Sequence, residues 1–445
     1  MKTPIVDFVK EYAGKGFSRL HMPGHKGKNF LGCEKYDITE IDGADVLYSA
    51  DGIIKESEKN ASSLFGAAAT YYSTEGSTLC IKAMLSLICK GKDNRPLILA
   101  ARNVHKAFIY AGALLDFDVT WMYPREADHL CSCVLTAQEV EKHIIACKNK
   151  PDAVYITSPD YLGGMWDIEA VSKICDKYDI PLLVDNAHGA YLAFTDESLH
   201  PVNLGATMCC DSAHKTLPVL TGGAYLHISK KGMSFIPLAE ECLSLHASTS
   251  PSYLILQSLD LCNAYLSDGY KEKLADTVNK VSALKEKLCT LGFDVKESEP
   301  LKLTVSPLIY GYTGNELGDF LFENGISCEF SDNEFTVMMF TPENSDKDFE
   351  KLCEALSSLA KKKAKASFSL PHLRESEKRL SMREAVFSQS ELISASEAEG
   401  RICASPTVSC PPAVPVTVSG ELITKEAVEI FKAYGIEKIS VVKIK

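Results

Sequence analysis

From about Gly52 onward, short apolar runs alternate with segments of helical period, and this alternation limits the fold more than any other feature. Ile53–Phe65 and Ser77–Lys90 read as helices, the second with Ile81, Met84, Leu85 and Ile88 on one face. Pro96–Ala100, Val119–Tyr123, Ala153–Thr157 and Pro181–Val184 read as strands. Between them Val104–Leu115, Thr136–Cys147 and Ile168–Tyr178 read as helices, and Thr207–Cys210 and Ala224–Ile228 as two later strands. The pattern predicts an α/β fold, a mostly parallel sheet wrapped by helices. Runs such as Leu182-Leu183-Val184 suit strands buried on both faces. Ligands of such sheets bind beyond the carboxyl ends of the strands.

Other segments flank this core. Residues 1–50 read as an arm whose turns at Gly14, Gly16, Pro23, Gly24, Gly27 and Gly32 leave no room for a helix of normal length. Residues 51–280 are expected to form the large domain, ending in helices at Ser252–Ser267 and Lys271–Leu291. Residues 281–366 read as a small α+β domain. Its parts are Leu303–Tyr310 (strand), Asn315–Asn324 (helix), Glu334–Phe340 (strand) and Asp346–Lys362 (helix). The basic run Lys361-Lys362-Lys363-Ala364-Lys365 reads as a solvated helix C-terminus. Residues 367–445 form a tail domain with a Pro-rich stretch (Pro406, Pro411, Pro412, Pro415) and a helix near Lys425–Tyr434.

Composition excludes several functions. With 59 acidic and 47 basic residues the formal charge is −12, which opposes nucleic-acid binding. The 16 cysteines are scattered and form no CxxC, so no metal site is expected. No run of about 18 apolar residues exists to span a membrane. Residues 1–10 carry Asp7 and no long apolar core, unlike a signal peptide. Free thiols in a reducing cytoplasm are the expected state.

Four segments place reactive groups where ligands bind. In Ile180-Pro-Leu-Leu-Val-Asp185-Asn-Ala-His188-Gly an apolar strand ends in Asp185, with His188 three residues on. In Cys210-Asp211-Ser212-Ala213-His214-Lys215-Thr216 a strand leads into a turn carrying a lysine flanked by apolar runs. Such an amine loses its preference for the charged form and can attack a carbonyl to give a Schiff base. Ser212 and His214 beside it suit an anion. In Glu75-Gly76-Ser77-Thr78 two hydroxyls open a helix, where backbone N–H groups suit a phosphate. The same Ser or Thr equally serves as an N-cap. His105, in Arg102-Asn103-Val104-His105-Lys106, stands just past a strand end and can stack on a planar ligand or face water. Together, the anion cradle, lysine, carboxylate and stacking group fit pyridoxal 5'-phosphate, whose ring nitrogen pairs with an Asp.

At these residues the chain resembles the pyridoxal-phosphate-dependent Orn/Lys/Arg decarboxylases, of the aspartate-aminotransferase-like fold type I. His21-Met-Pro-Gly-His25-Lys-Gly is similar to the family's N-terminal HxPGHKGG. Tyr36-Asp-Ile-Thr-Glu40, Gly52-Ile-Ile-Lys-Glu56, Thr157-Ser-Pro-Asp-Tyr161 and Ser248-Thr249-Ser-Pro-Ser-Tyr253 also have counterparts, as do the segments around Arg102, Asp185 and Lys215. The resemblance implies that Lys215 is the Schiff-base lysine and Asp185 the partner of the ring nitrogen. It implies that His105 stacks on the ring, that His188 shares the pocket, and that the Gly76-Ser77-Thr78 loop, Ser212 and His214 contact the phosphate. Thr249 matches a residue reaching the neighbouring subunit's cofactor, which implies a homodimer with a shared active site, or a higher oligomer. The implied activity is decarboxylation of arginine, lysine or ornithine in polyamine metabolism or acid consumption.

Two departures stand out. Glu75 occupies a position where the family commonly has Asn. The usual YPPGIP and PGE read Cys410-Pro-Pro-Ala-Val-Pro415 and Ser419-Gly-Glu421 here. Glu421 is open to two readings, a partner for a cationic substrate or a solvated turn residue. An aminotransferase or other lyase on the same scaffold, and a non-catalytic pyridoxal-phosphate-binding protein, remain as other readings.

Overall fold

The computed structural model describes residues 1–124, 129–366, 371, 373–408 and 414–443. They form two compact units: a first of 1–90 with 168–273, and a second of 91–167 with 274–445. In chain order the elements to position 266 begin with α1 (Pro4–Gly14), α2 (Ile53–Phe65), β1 (Ala69–Ser73) and α3 (Gly76–Cys89). Next come β2 (Leu97–Ala101), α4 (Lys106–Leu115), β3 (Asp118–Met122), α5 (Ala137–Ala146) and β4 (Ala153–Thr157). They are followed by α6 (Ile168–Lys177), β5 (Leu182–Asp185), β6 (Met208–Asp211), α7 (Ala213–Thr216), β7 (Ala224–Ile228), α8 (Ile236–Ser244) and α9 (Tyr253–Leu266).

The first unit orders its strands β1-β7-β6-β5. β5 and β6 are parallel, with Leu183, Val184 and Asp185 opposite Met208, Cys209 and Cys210. β7 runs antiparallel to both β6 and β1. All residues of β5, β6 and β7 are buried, as continuous apolar runs require. In the second unit β2 lies between β4 and β3, parallel to both. That unit also holds a four-stranded antiparallel sheet with strands 294–296, 302–306, 336–339 and 330–331. Helices Gly314–Glu323 and Asp346–Ser358 belong with it, around a core of Leu303, Val305, Leu317, Leu321 and Leu356. The tail builds its own core from Val416, Ile423, Phe431, Ile439 and Val441.

Three expectations need correction. The arm is not free of helix: α1 occupies Pro4–Gly14, before the first glycine turn. Its first turn is capped from afar, since the N–H groups of Ile5 and Val6 donate to Asp260 Oδ2 at 2.9 and 3.0 Å. The strand expected over 303–310 ends at Ser306, and a 3₁₀ turn follows at Leu308–Tyr310. The lysine run does not end a helix, which stops at Ser358. Instead the Lys362 and Lys365 N–H groups donate to the carbonyls of Tyr310 (3.1 Å) and Leu308 (2.9 Å), and Lys365 pairs with Glu316. Those backbone bonds replace the ones that further helical turns would have made. The part of the Pro-rich stretch at Pro411 and Pro412 lies outside the described residues.

The buried face of α2 carries an acid. Glu58 Oε1 accepts the Tyr72 N–H at 3.0 Å, and Lys55 Nζ stands 3.7 Å from Oε2. Burial pushes this carboxyl up to about 8, against the pull of the Tyr72 N–H and Lys55. A raised folded-state value means a stabilising contribution that is whole below the ordinary 4.5 and is lost as pH rises through about 8. Tm should therefore fall between pH 5 and 9, and fall less in Glu58→Gln; parallel curves would refute the assignment.

Candidate active site

The first unit gathers most of the expected groups. β5 ends in Asp185, which is buried. Its Oδ1 accepts the Ala187 N–H (3.2 Å) and the Cys210 S–H (3.7 Å). The chain then turns tightly, with the Gly189 N–H donating to the Asn186 carbonyl. A Cβ at 189 would stand 2.1 Å from Asn186 Oδ1, so glycine is required for close approach. The turn aims His188 at Lys215, and Nζ lies 2.9 Å from Nε2. An ammonium at Lys215 donates in that contact, so the imidazole accepts at Nε2 and carries its proton on Nδ1; a free amine can instead accept from Nε2–H.

Lys215 is carried by α7, the short helix that follows β6. His214 beside it donates from Nδ1 to the Gly223 carbonyl at 2.9 Å. Burial, with the Lys215 charge adding to it, pushes this imidazole down, so His214 is neutral at pH 7 and offers Nε2 as an acceptor. Gly223 leaves no room for a side chain, since a Cβ would meet Val219 Cγ1 at 2.2 Å.

Ser212 reaches the third segment. Its hydroxyl donates to Ser77 Oγ at 2.8 Å, joining the α7 turn to the start of α3. α3 begins at Gly76 (φ +71°) and has no side-chain cap. The Gly76 N–H is spent on the Gly222 carbonyl at 2.7 Å, so the N–H groups that follow it in the first turn, together with the two serine hydroxyls, form an anion-binding arrangement. Thr78 is exposed. Glu75 is turned to other use, because its carboxylate accepts the Ser248 N–H at 2.6 Å. Thr249 is exposed in the loop between α8 and α9.

His105 and Glu421 belong to the second unit. His105 is half-buried and caps α4, with Nδ1 accepting the Ala107 N–H at 3.2 Å. Glu421 is buried, not a solvated turn residue. Its Oε2 accepts from Arg102 (3.4 Å) and from the Val418 N–H (2.9 Å). The Arg102 guanidinium also donates to the Pro415 carbonyl and lies over the Trp121 ring. Sequence reasoning missed this pairing, because 319 residues separate the partners. Removing one member leaves a buried charge, so Arg102→Met should cost about 3–5 kcal/mol by denaturant titration. Adding Glu421→Gln to it should recover part of that loss; no recovery would deny the pairing.

The fold that carries these groups recurs in solved structures. The lysine decarboxylase of Francisella novicida superposes with a TM-score of 0.82 at 17% identity, covering 99% of this chain and 81% of that one. The constitutive lysine decarboxylase of Escherichia coli gives 0.78 at 18% identity, with 99% and 82% covered. The apo cysteine desulfurase of Thermococcus onnurineus gives 0.58 at 15% identity, with 81% and 92% covered. The class is therefore the α/β fold type I architecture. Within it, residues 3–309 match the major domain of Orn/Lys/Arg decarboxylases and residues 361–435 their C-terminal domain. The arginine decarboxylase of Bacillus subtilis is 29% identical over 472 aligned residues, 97% of this chain and 93% of that protein. The arginine decarboxylase of Bacillus anthracis is 30% identical over 469, covering 97% and 92%. The chain belongs to the Orn/Lys/Arg decarboxylase family: it is a carboxy-lyase for a basic amino acid. No helix among the described residues is long and apolar enough to cross a membrane.

Proposed function

We propose that the chain converts arginine to agmatine and carbon dioxide with pyridoxal 5'-phosphate held in the first unit. The observation that carries the cofactor is the Lys215 amine, 2.9 Å from His188, on the turn that follows the strand beside Asp185. The residues present fit the group: an amine for its aldehyde, a buried carboxylate for its ring nitrogen, and an uncapped helix start with Ser77 and Ser212 for its phosphate. Arginine is preferred because the similar full-length relatives carry that name.

In this reading the chain's own groups have distinct tasks. Lys215 would hold the cofactor through its amine, and His188 would accept a hydrogen bond from Nζ. Asp185 favours the protonated ring nitrogen by charge. The Gly76-Ser77-Thr78 loop and Ser212 would hold the phosphate; His214, whose Nδ1–H serves the Gly223 carbonyl, would add to them only when doubly protonated. The resemblance assigns His105 to the ring. The bound cofactor supplies an electron sink for the pair left when the carboxylate departs. Thr249 is assigned to the neighbouring subunit's site, which makes the working unit a homodimer. The reading includes the four-part division at 50, 280 and 366, a cytoplasmic location and a role in polyamine synthesis. The test supplies arginine, lysine or ornithine with pyridoxal phosphate and measures carbon dioxide and amine. One agmatine per carbon dioxide from arginine is expected. Cadaverine or putrescine as the favoured product would replace the substrate, and a keto acid without carbon dioxide would overturn the reaction.

A further inference from the structure

One buried charge near the lysine turn has no part in the reaction as described. Asp211 ends β6, four residues before Lys215, and is 0% exposed. Its Oδ1 accepts Asn186 Nδ2–H at 2.7 Å. Its Oδ2 accepts from the Nε2 atoms of His200 (2.9 Å) and His227 (3.2 Å). His227 Nδ1 is held in turn by the Thr70 hydroxyl at 2.8 Å, and Phe65 packs on both imidazoles. Burial alone would raise this acid; the two imidazoles outweigh it and hold the carboxyl well below its ordinary range. A buried ion costs several kcal/mol of desolvation, and apolar residues fill such space at least as well. The charge therefore calls for a purpose.

The bonds around it close a ring. Asn186 directly follows Asp185 and lies two residues before His188, while Asp211 precedes Ser212 and Lys215. The Asp185 loop and the Lys215 turn are thus tied twice, by Asn186 to Asp211 and by Lys215 to His188. The Asn186 N–H adds a third tie, to the Cys210 carbonyl at 2.9 Å. We infer that Asp211, clamped by His200 and His227, is a positioning residue that sets Asp185 and Lys215 relative to each other through Asn186. This rests on the functional reading above.

A metal ion is the competing explanation, because ligand atoms of His200, Cys209 and Asp211 lie within 4.8 Å of one another. Yet His200 Nε2 and Asp211 Oδ2 already meet at hydrogen-bond distance, 2.9 Å, which accounts for their closeness without an ion.

The test compares full-length wild type, Asp211→Asn and Asn186→Ser, the last leaving the Asp211–His cluster whole. Each is loaded with pyridoxal phosphate, and borohydride traps the fraction attached to Lys215: hydride adds to the carbon bonded to Nζ, and the nitrogen takes a proton. Mass spectrometry reads the label, with Tm, kcat and KM measured alongside. Both variants should trap less than wild type and lose kcat, Asp211→Asn by about 10- to 100-fold, with KM little changed. If Asp211→Asn does not fold, the decision passes to Asn186→Ser. Lowered Tm with wild-type trapping and kcat would overturn the inference and leave the functional reading intact. Stoichiometric metal in wild type that is lost in Asp211→Asn would also overturn it. Wild type that traps nothing on Lys215 would sink the functional reading, and this inference with it.

Discussion

Lys215→Ala protein should release no measurable carbon dioxide from arginine, a fall of at least about 10³-fold in kcat. Two losses combine. The amine assigned to the cofactor would be gone, and so would the group that hydrogen-bonds His188 at 2.9 Å. The fold should survive. The side chain is half-buried, and its backbone N–H bond to the Ser212 carbonyl does not depend on side-chain identity. Lys215→Arg separates the two roles, since a guanidinium keeps the charge and a hydrogen-bond donor but does not condense with an aldehyde. Both variants should fail to retain pyridoxal phosphate through borohydride treatment and denaturation, while wild type keeps it on the peptide containing position 215. A label on another lysine, or full turnover by Lys215→Ala, would remove the central assignment.

How much of this was legible from residues alone follows the distance over which each feature is determined. β5 and β6 were readable because Leu182-Leu183-Val184 and the run before Asp211 are apolar, and burial on both faces selects such runs. The positions of Asp185 and Lys215 were readable for a related reason, because Asp185 stands where one apolar run stops and Lys215 on the turn that follows another. β1 was missed: Ala69–Ser73 holds Thr70 and two tyrosines, whose hydroxyls find partners only in the fold, as Tyr72 does on Ser57. Helix α1 was missed because its cap is Asp260, 255 residues away from Ile5. The lysine run looked like a helix end because its charge suits one; its backbone partners are in the Leu308–Tyr310 turn. Asp211 drew no comment in the sequence, since a lone Asp before a turn is ordinary and its three donors come from Asn186, His200 and His227.

Asp185→Asn tests the site from the opposite side and should separate function from folding. The substitution keeps the shape of a buried side chain and removes its charge. A contact that stabilises charge developing during the reaction is worth about 10²–10³ in rate, so kcat should fall by that factor with KM little changed. The apoprotein should not suffer in parallel. An amide still accepts the Ala187 N–H through its oxygen, and the desolvation cost of a buried carboxylate disappears. The variant should therefore unfold within a few degrees of wild type, where about 1 kcal/mol corresponds to roughly 2–4 °C in larger domains. Loss of activity with stability retained is what a charge kept for function requires, because groups that serve catalysis are often poorly matched to folding. A Tm drop that matches the activity loss would recast Asp185 as a structural residue at a strand end. Full activity in Asp185→Asn would show that the protonated ring nitrogen does not depend on this carboxylate at all.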